Sequence, residues 1–223
     1  LEYSIKDFKS RGAKRAFLSV ITGNLPARNF YLKSGFVEFS GDVEMEHPGT
    51  QMDEPVLPAG IAEKEMNRFD GKVKFALADK ITPDAVKQFA PLIEKDFHTG
   101  ILMRLATPII DRAEGVKHLN FVYYGTDTDE ILGRFGIILR IREGGSVHAF
   151  LRLAPGHTEV GEYMLRKILH IAVKENPGRK LVMSLPTWQE DAIKAAENAG
   201  FDARVEYREM ALNLEEDKKE QTQ

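Results

Sequence analysis

Short apolar runs separated by polar stretches predict four elements in the first forty-seven residues. These are the end of a helix at 1–12, a strand at 15–22, a helix at 25–34 and an alternating strand, or a hairpin broken at Gly41-Asp42, at 36–46. The run at 17–21 is apolar and partly β-branched, which is typical of a buried strand. Asn24 can cap the helix that follows, and Gly35 can take the left-handed conformation that ends it.

From 48 to 70 the composition changes towards proline and glycine, with few large apolar residues. This change predicts a linker and a domain boundary.

Beyond the linker the alternation resumes and predicts ten elements. These are a strand at 73–78, a helix from the cap at 82–84 to 97 that Pro91 kinks, a helix at 101–111 that contains Pro108, strands at 118–124, 131–141 and 147–153, a helix through 164–172, a strand at 181–185, a helix at 188–199 and a strand at 203–214. The tail at 215–223 is charged and poor in apolar residues, which predicts disorder.

The segment from 16 to 36 carries a specific set of spaced residues. The set consists of Val20, Asn24, Ala27, Tyr31, Gly35 and Phe36. In order and spacing it resembles the last third of the GNAT acyl-CoA N-acetyltransferases. The element order of 71–214 resembles a whole GNAT domain, so the resemblance implies a tandem arrangement: 1–47 as the C-terminal portion of a first GNAT-like domain and 71–214 as a second one.

The resemblance implies an α/β (α+β) fold class, with a mixed, mostly antiparallel twisted sheet flanked by helices. It implies that Asn24 and Arg28 face coenzyme A and that Tyr31 is the general acid that protonates the departing thiolate. The chemistry is compatible, because a phenol with a pKa of about 10 can protonate a thiolate within hydrogen-bond reach. The alternative is that the Tyr31 ring packs in the core with its hydroxyl in water.

In the second copy, the stretch from Leu153 to Gly161 stands where the family has a glycine-rich, phosphate-binding turn. Leu153 and Gly161 are therefore the candidate coenzyme-binding residues of this copy. One alignment puts Gly161 at the last glycine of the motif and another at the first, and neither restores the motif. Glu159 lies in the first turn of the helix that follows, and Thr158 looks like an ordinary helix cap, both of which favour a degenerate site.

The second copy also lacks the general acid. The position that matches Tyr31, counted back from Gly200, is Ala196, and the position that matches Asn24 is Gln189. Tyr163, whose hydroxyl the sequence cannot place, is expected to pack in the core, as are Tyr123 and Tyr124.

Composition narrows the classes of function. A formal net charge of -3 and a pI near 6.1 disfavour a nucleic-acid or anionic-membrane partner. The chain has no cysteine, which excludes disulfides and a cysteine nucleophile, and no acidic group has the spacing of a metal site. With no signal peptide or membrane-length apolar run, we expect a cytoplasmic protein.

Two functions follow. The first is an acetyl-CoA-dependent N-acetyltransferase of tandem GNAT type, in which the first domain uses the cosubstrate, an unidentified small-molecule or protein amine accepts the acetyl group, and the second domain is degenerate. The alternative is a non-catalytic binding or dimerisation module. The chain begins within a helix at Leu1, so we expect a fragment of a longer polypeptide, and the half-domain at 1–47 predicts a homodimer through that region.

Overall fold

The computed structural model describes residues 1–50, 53–140 and 146–214. Within these ranges the chain forms seven α-helices, one 3₁₀ turn and eight strands. They are α1 (Glu2–Ser10), β1 (Arg15–Ile21), α2 (Leu25–Lys33), β2 (Val37–His47), β3 (Ile61–Glu65), α3 (Gly71–Ile81), α4 (Asp84–Phe89), the 3₁₀ turn (Glu94–Phe97), α5 (Ile101–Glu114), β4 (Val116–Gly125), β5 (Ile131–Arg140), β6 (Val147–Leu153), α6 (Thr158–Glu175), β7 (Leu181–Pro186), α7 (Glu190–Asn198) and β8 (Asp202–Asn213).

The strands form one sheet in the order β1-β8-β2-β7-β6-β5-β4-β3. The pairs β1–β8, β3–β4, β4–β5 and β5–β6 are antiparallel, whereas β6 and β7 run parallel. The expected fold class, a mixed and mostly antiparallel sheet with flanking helices, is confirmed.

The chain divides into two compact units. One contains residues 1–42 with the described residues from Val205 on, and the other contains residues 43–204. These boundaries differ from the predicted ones, chiefly because most of β8 groups with the first unit, where it pairs with β1.

The first unit has a small core. Ala16, Val20, Phe36, Met210 and Leu214 are buried in it. The second unit has a larger core, in which α6 covers one face of β5 and β6 with residues such as Met164 and Ile168. A smaller cluster around Leu77 and Ile81 of α3 includes Ala154 and lies on the other side. The second unit therefore has helices on both faces of its strands.

The predicted strand at 73–78 is wrong, because this segment lies in helix α3. Asp70 caps the helix by accepting a hydrogen bond from the backbone N–H of Val73 at 3.2 Å. Leu77 and Ile81, one helical turn apart, point inward, so the apolar run has the period of a helix rather than that of a strand.

The strand that should precede these helices lies instead in the predicted linker. Residues Ile61–Glu65 form β3, which pairs with β4 along its whole length. The prediction of a linker is thus wrong for these five residues. Three of these five residues are charged, so the segment lacks the apolar pattern of a buried strand. Charged residues are common in a strand at the edge of a sheet, and β3 stands at the end of the sheet order.

Three smaller expectations are resolved. Strand β2 continues through Gly41-Asp42, so the hairpin alternative is wrong. Helix α4 ends at Phe89, so Pro91 terminates the helix instead of kinking it. Pro108 lies inside α5, as expected. The predicted disordered tail at 215–223 lies outside the described residues.

Within the described ranges, no helix has the length and apolarity needed to cross a membrane.

Candidate functional site

In the first unit, strand β1 leads through a tight turn into α2. The backbone N–H of Asn24 donates to the carbonyl of Ile21 at 2.8 Å, and the Asn24 side chain accepts from the N–H of Ala27 at 3.2 Å. Asn24 is therefore the N-cap of α2, as the sequence predicts, and its side-chain oxygen is used by the helix.

Arg28, one turn further along α2, forms a two-pronged ion pair with Glu38 of β2. The Nε atom contacts one carboxylate oxygen, and an Nη atom donates to the other at 3.1 Å. Arg28 hydrogen bonding lowers the pKa of Glu38, and Glu38 raises the pKa of Arg28 in the same way. Any anionic ligand of Arg28 would have to compete with this carboxylate.

Tyr31 is half-buried on the inner side of α2. Its ring meets those of Phe30 and Phe36 edge to face, with centroid distances of 5.5 and 5.7 Å. Within the described parts of the chain, no group is hydrogen-bonded to the Tyr31 hydroxyl. The ring is fixed by packing against these two rings, as the alternative interpretation expects.

In the second unit β6 and β7 are neighbouring strands, and each is followed by a helix, α6 and α7 respectively. Strands β6 and β7 pair at Val147–Leu181, His148–Val182 and Ala149–Met183, and their register pairing ends there although both strands continue. The backbone of Leu153, at the end of β6, thus lies beyond the paired part, where an extended ligand could bind.

The side chain of Gln189 occupies that position. Its Oε1 accepts from the N–H of Leu153 at 2.9 Å, and its Nε2 donates to the carbonyl of Leu153 at 3.0 Å. A carboxamide has the donor and acceptor of a peptide group, so Gln189 pairs with β6 as a neighbouring strand or an amide-bearing ligand would. It is 5% exposed, which makes this a buried, satisfied contact.

In the turn between β6 and α6, a second side chain of the protein, that of Asp191, uses hydrogen-bonding groups that a ligand could otherwise bind. The Asp191 carboxylate accepts from the N–H of Gly156 at 2.8 Å and from the hydroxyl of Thr158 at 3.0 Å. The Gly156 hydrogen bond, followed by that of Thr158, lowers the pKa of Asp191. Gly156 has a φ of +80°, so a residue with a side chain would be strained at this point of the turn. A carboxylate of the protein itself is therefore bound in the turn that the sequence analysis compared with a phosphate-binding turn.

The other candidate residues of this turn serve packing. A Cβ on Gly161 would lie 2.8 Å from Cδ2 of Leu153 and 3.2 Å from Cβ of Ala195, so this glycine allows α6 to approach its neighbours. The expected cap role of Thr158 is wrong: His157 is the N-cap residue, it makes no capping side-chain hydrogen bond, and the Thr158 hydroxyl is directed to Asp191.

Two tyrosines of the second unit, Tyr123 and Tyr163, have their hydroxyls bound to one carboxylate. The hydroxyls of Tyr123 and Tyr163 both donate to Glu63, at 2.8 and 3.1 Å, and burial with this carboxylate raises the pKa of each. Ala196 is fully buried in α7. Among the residues that the structure describes, no group of three His, Cys, Asp or Glu side chains could hold a metal ion.

Sequence reasoning found Gln189 as the equivalent of Asn24 but did not predict its contacts, and it missed Asp191. The signal available was the acidic pair Glu190-Asp191 at the start of a helix, which is also an ordinary helix start.

Comparison of the whole fold identifies what this chain resembles. A GCN5-related N-acetyltransferase from Sphaerobacter thermophilus superposes with a TM-score of 0.63 at 11% identity, over 96% of this chain and 66% of that one. A tandem GNAT protein from the clavulanic acid biosynthesis pathway gives a TM-score of 0.59 at 11% identity, over 96% and 68%. A GCN5-related N-acetyltransferase from Kribbella flavida gives 0.51 at 10% identity, over 94% and 72%.

No protein-family model and no curated protein matches this sequence. The chain has the fold of the GNAT superfamily, and it spans about two thirds of the length of the first two proteins.

Proposed function

We propose that this chain is part of an acetyl-CoA-dependent N-acetyltransferase of tandem GNAT type, in which the second unit does not bind the cosubstrate in its own cleft. The likeness in fold to a tandem GNAT protein supports the tandem arrangement. The observation that carries the proposal is the Gln189 amide, which uses both backbone hydrogen-bonding groups of Leu153. The acetyl acceptor would be an amine of a small molecule or a protein.

The first unit would contribute the chemistry. The amine nitrogen attacks the thioester carbonyl, a C–N bond forms and the C–S bond breaks, and the Tyr31 hydroxyl gives its proton to the departing thiolate. The amine loses its proton to a base or to water. Two features support Tyr31 in this role: its ring is held by Phe30 and Phe36, and its hydroxyl is bound to no described group of the chain.

Arg28 would contribute to holding the anionic arm of acetyl-CoA, and Asn24 would position the start of α2 beside it. Because Arg28 is paired with Glu38, this role requires the phosphate groups to share or displace that carboxylate. A dianionic phosphate can do so, since an arginine donates through five N–H groups.

In the second unit two internal groups oppose binding. Thioester binding at Leu153 requires the loss of the two Gln189 hydrogen bonds, and phosphate binding at Gly156 requires removal of the Asp191 carboxylate. Each displaced group would leave a polar partner without a hydrogen bond unless the ligand replaces it.

Calorimetric titration of the protein with acetyl-CoA tests this assignment. Arg28→Met is expected to weaken binding by about tenfold or more, because a hydrogen bond to a charged group contributes about 1.5–3 kcal/mol. Lys194→Met, which removes a cation from α7 beside Asp191, is the control and should leave binding unchanged. Loss of binding in the Lys194 variant alone would contradict the assignment.

A second candidate function is a non-catalytic binding or dimerisation module. It is favoured by Ala196, which stands where the first unit has Tyr31 and carries no proton to give. If acetyl-CoA neither binds to the full-length protein nor is consumed with any of a broad set of amines, this second function replaces the first.

We also propose self-association through residues 1–47 and a cytoplasmic location. Support for the first comes from β1, which lies at one end of the sheet order, and from exposed apolar side chains in this region, including Phe17, Leu25 and Phe30. Light scattering should give the mass of a dimer, and a monomeric mass at all concentrations would contradict it.

A further inference from the structure

A cavity of about 240 Å³ lies between α6 and strand β4 in the second unit. Strand β3 stands at the end of the sheet order and pairs with β4 only over residues 121–125. The first half of β4, residues 116–120, therefore has no neighbouring strand on that side within the described sheet. Leu119 belongs to this half and lines the cavity, so the cavity lies where β3 ends and α6 continues.

One wall of the cavity is apolar. Leu119 and Phe121 are alternate residues of β4 and so share one face of the strand, and Ile171 of α6 lies opposite them. All three side chains are half-buried and pack against the main core of the second unit. The side chains that α6 contributes are three or four positions apart, on one stripe of the helix: Tyr163, Lys167, His170, Ile171 and Lys174.

Lys167 adds a hydrogen-bond donor to this apolar wall. Its ammonium group is bonded to one oxygen of Glu63 and lies 4.7 Å from the centroid of the Phe121 ring, and its side chain is only 20% exposed. The other Glu63 oxygen is used by the hydroxyls of Tyr123 and Tyr163. An ammonium has three N–H donors, and Lys167 makes no second hydrogen bond in the part of the chain that the structure describes. Even with one N–H facing the Phe121 ring, a donor of Lys167 remains for a ligand in the cavity.

The other charged side chains of the cavity have both signs. Lys174 carries a positive charge and forms no ion pair with any described residue, and Glu54 carries a negative charge. Glu175 is paired with Lys117 at 3.2 Å. Because these charges offset one another, the feature of the cavity that selects a ligand is the combination of an apolar wall with the Lys167 donor, and not a strong net charge.

We propose that this cavity binds a small, mainly apolar molecule with an acceptor oxygen, a carboxylate or a carbonyl, that accepts a hydrogen bond from Lys167. A water molecule takes about 30 Å³ in the liquid, so the cavity has the volume of roughly eight waters and suits a ligand of about eight to ten non-hydrogen atoms. An example is a benzene ring that carries one carboxylate. The site goes beyond the proposed acyl transfer, because Asn24, Arg28 and Tyr31 do not line this cavity.

The test is titration of the protein with benzoate, benzamide and benzylamine, which share a ring and differ in the polar group. NMR measures the affinity and detects contacts between the ring protons of the probe and the methyl groups of Leu119 and Ile171. We expect benzoate, benzamide or both to bind with a Kd of about 1 mM or tighter, and benzylamine, which has no acceptor, to bind at least about tenfold more weakly. Binding of benzoate alone identifies a carboxylate ligand, binding of benzamide alone identifies an uncharged carbonyl, and binding of both shows that the acceptor oxygen is what is recognised.

Lys167→Met should weaken binding of the oxygen-bearing probes by about tenfold or more, because it removes a hydrogen bond from a charged donor. Lys180→Met is the matched control, since Lys180 is also paired with a glutamate, Glu46, but lies outside the cavity. If Lys167→Met does not fold, Ile171→Phe takes its place: its larger side chain should fill the cavity and abolish binding. Absence of binding by both benzoate and benzamide, equally tight binding of benzylamine, or equal affinity in the cavity variant and the Lys180 variant would overturn the proposal.

Discussion

The units β1–α2–β2 and β7–α7–β8 each consist of a strand, a short helix and a strand, and they share the backbone geometry of the turns that bound the helix. The N-cap residues Asn24 and Gln189 have φ and ψ of -85° and 68° in one case and -91° and 57° in the other. Each helix ends at a glycine with a φ near +86°, Gly35 or Gly200.

The hydrogen bonds at the end of the two helices match as well. Phe36 donates to the carbonyl of Tyr31 at 3.1 Å, and Phe201 donates to that of Ala196 at 3.0 Å. Ala196 is thus the structural equivalent of Tyr31, as the spacing predicts. The same backbone therefore carries a phenol in one copy and a methyl group in the other.

The caps differ in what their side chains reach. Asn24 is short and bonds to its own helix, whereas Gln189 is one methylene longer and bonds to strand β6. The longer Gln189 side chain therefore reaches the neighbouring strand β6, whereas the shorter Asn24 side chain caps its own helix. The following predictions test this comparison, from the largest expected effect to the smallest.

Replacing Tyr31 by Phe in the full-length protein should lower acetyl transfer by about a hundredfold or more, since a positioned general acid contributes roughly 10²–10⁴-fold. Binding of acetyl-CoA should change little, because the ring and its contacts are retained. Tyr3→Phe, at an exposed tyrosine of α1, is the control. Steady-state kinetics gives the answer, and unchanged turnover would remove Tyr31 from the mechanism.

Gln189→Ala should lower the free energy of unfolding by about 2–4 kcal/mol, because it leaves the buried N–H and C=O of Leu153 without partners. Asn24→Ala, at the equivalent position, should lower it by only about 1 kcal/mol, as an exposed cap does. Urea denaturation measures both. Equal losses in the two variants would mean that Gln189 is merely another cap.

Asp191→Asn should lower stability at neutral pH by about 1 kcal/mol, the usual contribution of a hydrogen bond. Its folded pKa is lowered, so this stability is fully present above the unfolded pKa of about 3.9 and is lost as the pH falls through the folded pKa. The gap between wild type and variant should therefore close in acid. Thermal unfolding at a series of pH values from neutral into acid measures this difference in stability, and Asp127→Asn, in an exposed turn, is the control. A difference in stability that does not change with pH would exclude a contact of the ionised Asp191.

The smallest effect is expected at the Arg28–Glu38 pair. A double-mutant cycle with Arg28→Met and Glu38→Gln should give only a small coupling energy, because partly exposed ion pairs are screened by solvent. Glu38→Gln alone should tighten acetyl-CoA binding if Arg28 meets the cosubstrate, since it removes the competing carboxylate. Weaker binding in that variant would argue against a role of Arg28 in binding.

Elements whose signals are local were predicted well. The strand at 15–22, the helix at 25–34 and the strands at 118–124 and 147–153 carry strong apolar runs or caps, and the structure has an element at each place. The errors fall where local signals are ambiguous. Residues 73–78 alternate enough to look like a strand, and β3 is too charged to be recognised without its partner β4.

The amino-acid sequence alone determined the repeated strand–helix–strand unit, the loss of the phenol at Ala196 and the poverty of glycine between Leu153 and Gly161, because these depend on residue identity and spacing. Only the tertiary structure decided that Gln189 reaches Leu153 and that Asp191 reaches Gly156. Each of these contacts joins residues about thirty-five positions apart. Such a contact depends on where α7 meets the end of β6, and no local pattern of polar and apolar residues encodes that position.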